Sequence, residues 1–255
     1  MLKHIDKMGL SNFIKQLNIL LGRKPRYLFI FSHMRSRSSV LSHVLGTNPG
    51  ICGYSELHLH YKDQQSVDKL HELLFEELKC DFTNKYLLDK ILSNNIFSDE
   101  VLNITKPKVV FLLREPESTI KSIINMGYIT GIEWYKDPEK AAAYYCERLD
   151  RMEKLSKKAV GGYLFIESDD LVDNTGPSLE RITKWLNLKK PLSKEYDCFN
   201  NTGKPSFGDP SERIKSGVLE RTEGYPNIDI PLDVLKKCKR AYEDCKRALV
   251  NNKPV

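Results

Sequence analysis

Two short runs of cationic and hydroxyl-bearing residues stand out as able to do chemistry. The first is Ser32-His33-Met34-Arg35-Ser36-Arg37-Ser38-Ser39, which follows the apolar run Tyr27–Phe31 and precedes a helical stripe of Val40, Leu41, Val44 and Leu45 ending at Gly46. A helix N-terminus after a strand offers unpaired N–H groups and the positive end of the helix dipole, a ready phosphate site. Backbone N–H groups of Ser36 through Ser39 could cradle a phosphate there. Their hydroxyls and Arg35 would complete the shell with charge-assisted bonds. The same run fits a solvent-exposed Ser/Arg turn with an N-cap equally well. The second run is Arg114, closing Lys108–Leu113, with Ser122 eight residues later. Arg114 would leave the strand end as a bidentate phosphate partner, and Ser122 would reach the same phosphate from the helix opened by Pro116. The competing reading is a surface Arg–Glu pair beside an exposed serine. The nucleoside-triphosphate loop GxxxxGK[ST] is absent, and neither Gly nor Lys occurs between Ser32 and Ser39, which disfavours an ordinary NTPase.

The elements that must carry these runs are legible from periodicity. Unbroken apolar runs at 27–31, 108–113 and 163–166 read as buried parallel strands, with a short strand at 51–54. Helical spacing predicts helices over 66–79, after Pro116, over 138–159, after Pro177 and over 231–249. Residues 127–137 read as a loop rich in Gly, Tyr and Trp, and 198–227 as a long loop. Strands alternating with helices predict an α/β fold, a central, mostly parallel sheet with helices on both faces. Ligands in such folds sit beyond the carboxyl ends of the strands, which selects 32–39 and 114–122.

The chain of 255 residues fits one domain spanning 1–255, with 40% hydrophobic and 29% charged residues. A net charge of +6 suits either a solvated surface or attraction for a polyanionic small molecule. The six cysteines show no metal-type spacing and are expected as reduced thiols in a cytoplasmic protein. Residues 10–21 have an amphipathic helical pattern, expected to dock on the domain, and no run approaches a membrane span.

The run Phe29–Ser39 resembles the 5′-phosphosulfate loop of PAPS-dependent sulfotransferases, enzymes of a P-loop-like sulfotransferase fold whose donor is 3′-phosphoadenosine-5′-phosphosulfate. That loop reads roughly Pro-(Lys/Arg)-Ser-Gly-(Ser/Thr)-Thr. Arg35 falls on its basic position and Ser36, Ser38 and Ser39 on its hydroxyl positions, while Met34 replaces Pro and Arg37 replaces Gly, adding a cation. Val110–Pro116 with Ser122 resembles the family's 3′-phosphate motif. Gly208-Asp209-Pro210 followed by Ile214-Lys215-Ser216-Gly217 is similar to its C-terminal segment, where a basic residue before a Gly closes over the nucleotide. Lys215, Ser216 and Gly217 carry over, with Arg213 near. Tyr86–Lys90 looks like the family's Asp-Lys element, which would bring Lys90 to the sulfuryl group; an exposed helix lysine is the alternative. Phe165–Leu171 resembles a Tyr-Glu-Asp-Leu segment, with Ser168 in the place of Tyr. The resemblance spans about residues 27–220.

The resemblance implies sulfuryl transfer from PAPS, releasing PAP, with no metal. Such a transfer is in line, with charge growing on the leaving bridge oxygen. Arg35 is the first candidate to stabilise that charge and Lys90 the second. Glu56 is the preferred base for the acceptor proton, ahead of His33 and His58. His58 and His60 are too few for a metal site. The expected acceptor is an alcohol or amine on a small molecule, with natural-product tailoring as the expected role. A carbohydrate comes second, and no nucleic acid or integral membrane association is expected. Tyr54, His58, Tyr61, Tyr128, Trp134 and Tyr135 are expected to line its pocket, where Glu133 and Asp137 would favour a cation. Two alternatives stay open: an ATP-dependent P-loop-type phosphotransferase, and a non-catalytic nucleotide-binding protein of the same fold.

Overall fold

A computed structural model describes residues 25–159, 162–221, 224–225 and 227–251. The predicted helix at 10–21 lies outside the described residues. Chain order is β1 (Arg26–Ser32), α1 (Ser38–Gly46), β2 (Ile51–Cys52), α2 (Gln64–Leu78), β3 (Tyr86–Ile91), α3 (Asp99–Thr105) and β4 (Lys108–Leu113). Then come α4 (Pro116–Thr130), α5 (Glu133–Lys136), α6 (Pro138–Ser156), β5 (Tyr163–Glu167), α7 (Asp170–Asp173), α8 (Thr175–Leu186), a 3₁₀ turn (Glu212–Ser216) and α9 (Leu232–Asn251).

The five strands form one sheet in the order β2-β3-β1-β4-β5, every pair parallel. Alternation along each strand divides the core into two layers. Phe29, Phe31, Val109, Phe111 and Phe165 face one side, packing with residues of α2, α6 and α9. Leu28, Ile30, Val110, Leu112 and Leu164 face the other, against α1 and α8. Each such side chain contributes roughly 1.5–3 kcal/mol on burial. From β1 the chain turns towards β2, and from β3 it crosses to β4 on β1's other side. The crevice between the carboxyl ends of β1 and β4 is therefore the switch point where this class of sheet binds ligands.

Local signals set the helices around that crevice. Pro116 opens α4, and the Glu115 carboxylate caps it by accepting from Glu117 N (2.9 Å) and Ser118 N (2.6 Å). Asp137 caps α6 in the same way, accepting from Glu139 N (2.9 Å) and Lys140 N (3.2 Å).

Four expectations are corrected. Residues 127–137 are mostly helical: α4 runs on to Thr130 and stops at Gly131 (φ 74°), and α5 follows. The apolar face of Ile120, Ile123, Ile124 and Gly127 continues the helical phase that glycine and aromatic content obscured. The short strand stops at Cys52, because Gly53 (φ 122°) turns away there. Tyr86–Ile91 is a fully buried central strand, so Lys90 is no exposed helix lysine. Finally, Cys52 and Cys80 form a disulfide, since the end of α2 returns beside β2 with Cα atoms 6.6 Å apart; the other four cysteines are free thiols. Among the described residues no helix is long and apolar enough to cross a membrane.

Candidate functional site

The chain leaves β1 at Ser32, whose hydroxyl donates to Leu112 O (2.6 Å) and lies 2.5 Å from Ser36 Oγ. It then turns sharply: Arg35 (φ 62°) and Arg37 (φ 66°) are both left-handed, and Arg37 is the N-cap of α1. A side-chain-bearing residue in this conformation costs about 1–2 kcal/mol. At Arg37 that cost is opposed by its guanidinium, which donates to Ser168 Oγ (2.9 Å) and Asp169 Oδ1 (2.7 Å). The Ser168 hydroxyl in turn donates to Ser36 O (2.8 Å). The backbone thus adopts the left-handed turn at a position where the resemblance expects Gly. Ser168 holds the loop from β5.

Arg114 leaves β4 beside this loop. Its Nη1 donates to Arg35 O (3.0 Å), while its Nε is buried with no hydrogen-bond partner among the described residues. Burial, followed by the nearby Arg37 charge, lowers its pKa to about 10. Ser122 sits on the second turn of α4, 2% exposed, and accepts from Arg35 Nε (3.0 Å). The sequence-predicted phosphate groups therefore converge: Arg35, Arg37, Ser38, Ser39, Arg114 and Ser122 line one cleft of ≈ 1210 Å³. Ser36 is fully buried beneath them.

Lys90 comes up from β3, 1% exposed, and donates to Ser39 Oγ (3.0 Å). Burial lowers its pKa, against the pull of Glu56, Asp89 and Asp209. Its neighbour Asp89 points to the opposite face, accepting from Tyr61 OH (2.7 Å) and Leu57 N (3.1 Å). Through Leu57, Asp89 fixes the segment that carries Glu56, which is 8% exposed and lines the cleft. His58 Nδ1 lies 3.5 Å from Glu56 Oε1, and its Nε2–H donates to Ser206 O (2.6 Å).

The late segment closes over these groups. Asp209 Oδ1 pairs with Arg35 Nη1 (3.0 Å), and Asp209 N donates to Ser39 Oγ (3.0 Å). Burial pushes the Asp209 carboxyl up, but the Arg35 charge and the Ser211 N–H outweigh it, leaving the pKa below the ordinary value. Gly208 is required for this approach. Its φ is 137°, and a Cβ there would meet Lys90 Nζ and Ser39 Oγ, each at 2.9 Å.

Other predicted residues lie elsewhere. His33 is fully buried: its Nδ1 donates to Met34 O (2.9 Å) and its Nε2 accepts from Arg114 N (3.0 Å). Burial above all, helped by the Arg114 and Arg148 charges, lowers its pKa to about 3. With both ring nitrogens engaged, it ties β1 to β4 and has no face for an acceptor. Tyr54 is buried beside Glu77, stacked on Phe199 at 4.1 Å, and Tyr61 is buried against Phe29. Neither lines the cleft, and Tyr128 points outward, 67% exposed. Trp134 and Tyr135 do line it, beside Ile123, Met126 and Ile129. Glu133 pairs with Lys136 at 2.7 Å and is 82% exposed, and Asp137 is occupied as a helix cap, so no carboxylate from that segment enters the wall. Lys215 pairs with Glu212 (2.7 Å) outside the cleft; Ser216 and Arg213 line it, and Gly217 (φ 71°) ends the 3₁₀ turn. Sequence reasoning missed the roles of Asp209, Ser168 and Asp169. The only signal was their place in segments already singled out, Gly208-Asp209-Pro210 and Phe165–Leu171.

Two solved structures share this architecture. The sulfotransferase domain from the Synechococcus PCC 7002 olefin synthase superposes with TM-score 0.50 and 17% identity, over 86% of this chain and 95% of that one. The sulfotransferase domain from the curacin biosynthetic pathway does so with TM-score 0.56 and 19% identity, over 88% and 98%. The fold is that of sulfotransferase domains. No family model matches the sequence, and neither does any curated protein. In this fold the cleft lies at the ends of β1 and β4, where the turn after β1 and Arg114 stand side by side.

Proposed function

We propose that this protein is a sulfotransferase that moves the sulfuryl group of PAPS to a hydroxyl or amine of a small-molecule acceptor. The observation carrying this reading is the convergence of Arg35 and Arg114, from two strand ends, into one cleft with Arg37 and the N-terminus of α1. Clustered cations need anions, and the buried, unpartnered Arg114 Nε is a donor waiting for one. Arg114 and Ser122 would hold the 3′-phosphate. Ser38, Ser39 and the N–H groups opening α1 would hold the 5′-phosphosulfate, with Arg35. PAPS supplies the transferable sulfuryl group when bound. Lys90, which donates to Ser39 from beneath the cleft, would stabilise charge on the leaving oxygen. Glu56, on the cleft wall, would take the acceptor proton. The apolar wall of Ile123, Met126, Ile129 and Trp134 favours an uncharged acceptor body over a cationic one. The curacin and olefin synthase neighbours support a role in natural-product tailoring.

A thermal melt tests the donor. At about 100-fold saturation, PAP should raise the melting temperature by about 5 °C or more, and ATP by far less. Equal protection by ATP would favour the phosphotransferase alternative.

Asp209 gives a second expectation. Its carboxylate holds the Arg35 edge that the donor's anionic end needs. Asp209→Asn should therefore tighten PAP binding about 5–10-fold by calorimetry, since a charge-assisted pair is worth about 1.5–3 kcal/mol and only part of it is recovered. Weaker binding by the variant would mean that Asp209 supports the site.

A further inference from the structure

The sheet's functional strand ends are held from one helix. Tyr144 and Arg148 lie one turn apart on α6, and both are directed at the carboxyl end of the sheet. Arg148 is 3% exposed; its Nε donates to Ser32 O (2.7 Å) and its Nη2 to Ile91 O (2.6 Å). Tyr144 accepts from Met34 N (2.9 Å) and donates to Leu92 O (2.8 Å). Each side chain thus bridges the chain leaving β1, which becomes the donor loop, to the chain leaving β3, which carries Lys90. The next residue serves the other subsite: Tyr145 OH donates to Arg114 O (2.7 Å) at the end of β4.

We propose that Tyr144 and Arg148 are positioning residues for sulfuryl transfer, setting the spacing between the 5′ loop and Lys90, while Tyr145 separately positions the 3′-phosphate arginine. The inference rests on the donor reading above. A buried guanidinium is costly to desolvate, and among the described residues no carboxylate lies within ion-pair distance of Arg148. Two terminal backbone carbonyls satisfy it instead. An apolar side chain would fill the space more cheaply, but would leave both carbonyls unpaired and the two strand ends unlinked. Burial lowers the Arg148 pKa to about 10, against the pull of Tyr144 and Glu56.

A merely structural role predicts lower stability with unchanged ligand preference. Calorimetry with PAP and with adenosine 3′-monophosphate, which lacks the 5′ group, separates the two. Tyr144→Phe removes a single hydroxyl and should weaken PAP about 5–10-fold while leaving adenosine 3′-monophosphate within about twofold. Arg148→Gln should do the same more strongly, with Arg148→Lys between it and the wild type. Tyr145→Phe should weaken both ligands together. If Tyr144→Phe and Arg148→Lys melt earlier yet bind PAP like the wild type, or lose both ligands equally, the positioning role is overturned. If the wild type binds neither nucleotide, the donor reading itself has failed, and this inference with it. Should Arg148→Gln fail to fold, Tyr144→Phe and Arg148→Lys still decide the matter.

Discussion

Replacing Glu56 by Gln should lower kcat for sulfuryl transfer by about 10²–10⁴-fold, while PAP affinity stays within about threefold. Gln keeps the shape and hydrogen-bonding reach of Glu but cannot take a proton. The side chain is held from behind: Leu57 N donates to Asp89, so the segment stays in place when the carboxylate is lost. His58, 3.5 Å away and half exposed, is spent on Ser206 O through its other nitrogen and would rescue little. The measurement is single-turnover transfer from labelled PAPS to whichever acceptor a metabolite screen returns by its sulfonation mass gain. A variant within threefold of wild-type kcat would remove Glu56 from the proton-transfer role.

Lys90→Met should cost about 10²–10³-fold in kcat, the scale seen when one preorganised charge-stabilising donor is deleted. Met retains the unbranched apolar stem and all but the terminal atom, so packing beside Ser39 and Gly208 changes little. The buried ammonium also predicts a pH signature. In the proposed role Lys90 would act only when protonated, and burial lowers its pKa. The kcat profile of the wild type should therefore fall on its basic side at a pH below the ordinary lysine value of about 10.4. That limb should disappear in Lys90→Met. A limb that persists in the variant would assign the titration to another group.

Much of this was readable beforehand because β1, β4 and β5 are buried over unbroken apolar runs. β1, β4 and β5, with Arg35 and Arg114 at two of their ends, follow from that pattern and from the parallel topology it implies. β3 was hidden because Asp89 and Lys90 interrupt its apolar run; only pairing with β1 reveals that each charge is buried in a different layer. Glu56, on the cleft wall, and Lys90, buried beneath Ser39, are separated by a helix in sequence; sheet order, which periodicity does not encode, brings them together. The expected pocket residues Tyr54 and Tyr61 misled for a similar reason. An aromatic side chain after a strand serves a core as well as a wall, and these two were drawn inward by Phe199 and Phe29. The Arg35–Asp209 pair joins residues 174 positions apart, beyond any local signal.

The back-to-back arrangement of Asp89 and Lys90 has a consequence for how this chain can change. Because neighbouring strand residues alternate sides, a one-residue deletion that slid β3 along its partners would send the ammonium to the layer of Tyr61 and the carboxylate towards Ser39. Acid and cation would trade places in a single step, each stranded among the other's neighbours. Insertions and deletions should therefore be excluded within β3 in any functional descendant, and be tolerated only in the turn before Tyr86, where they do not alter its frame.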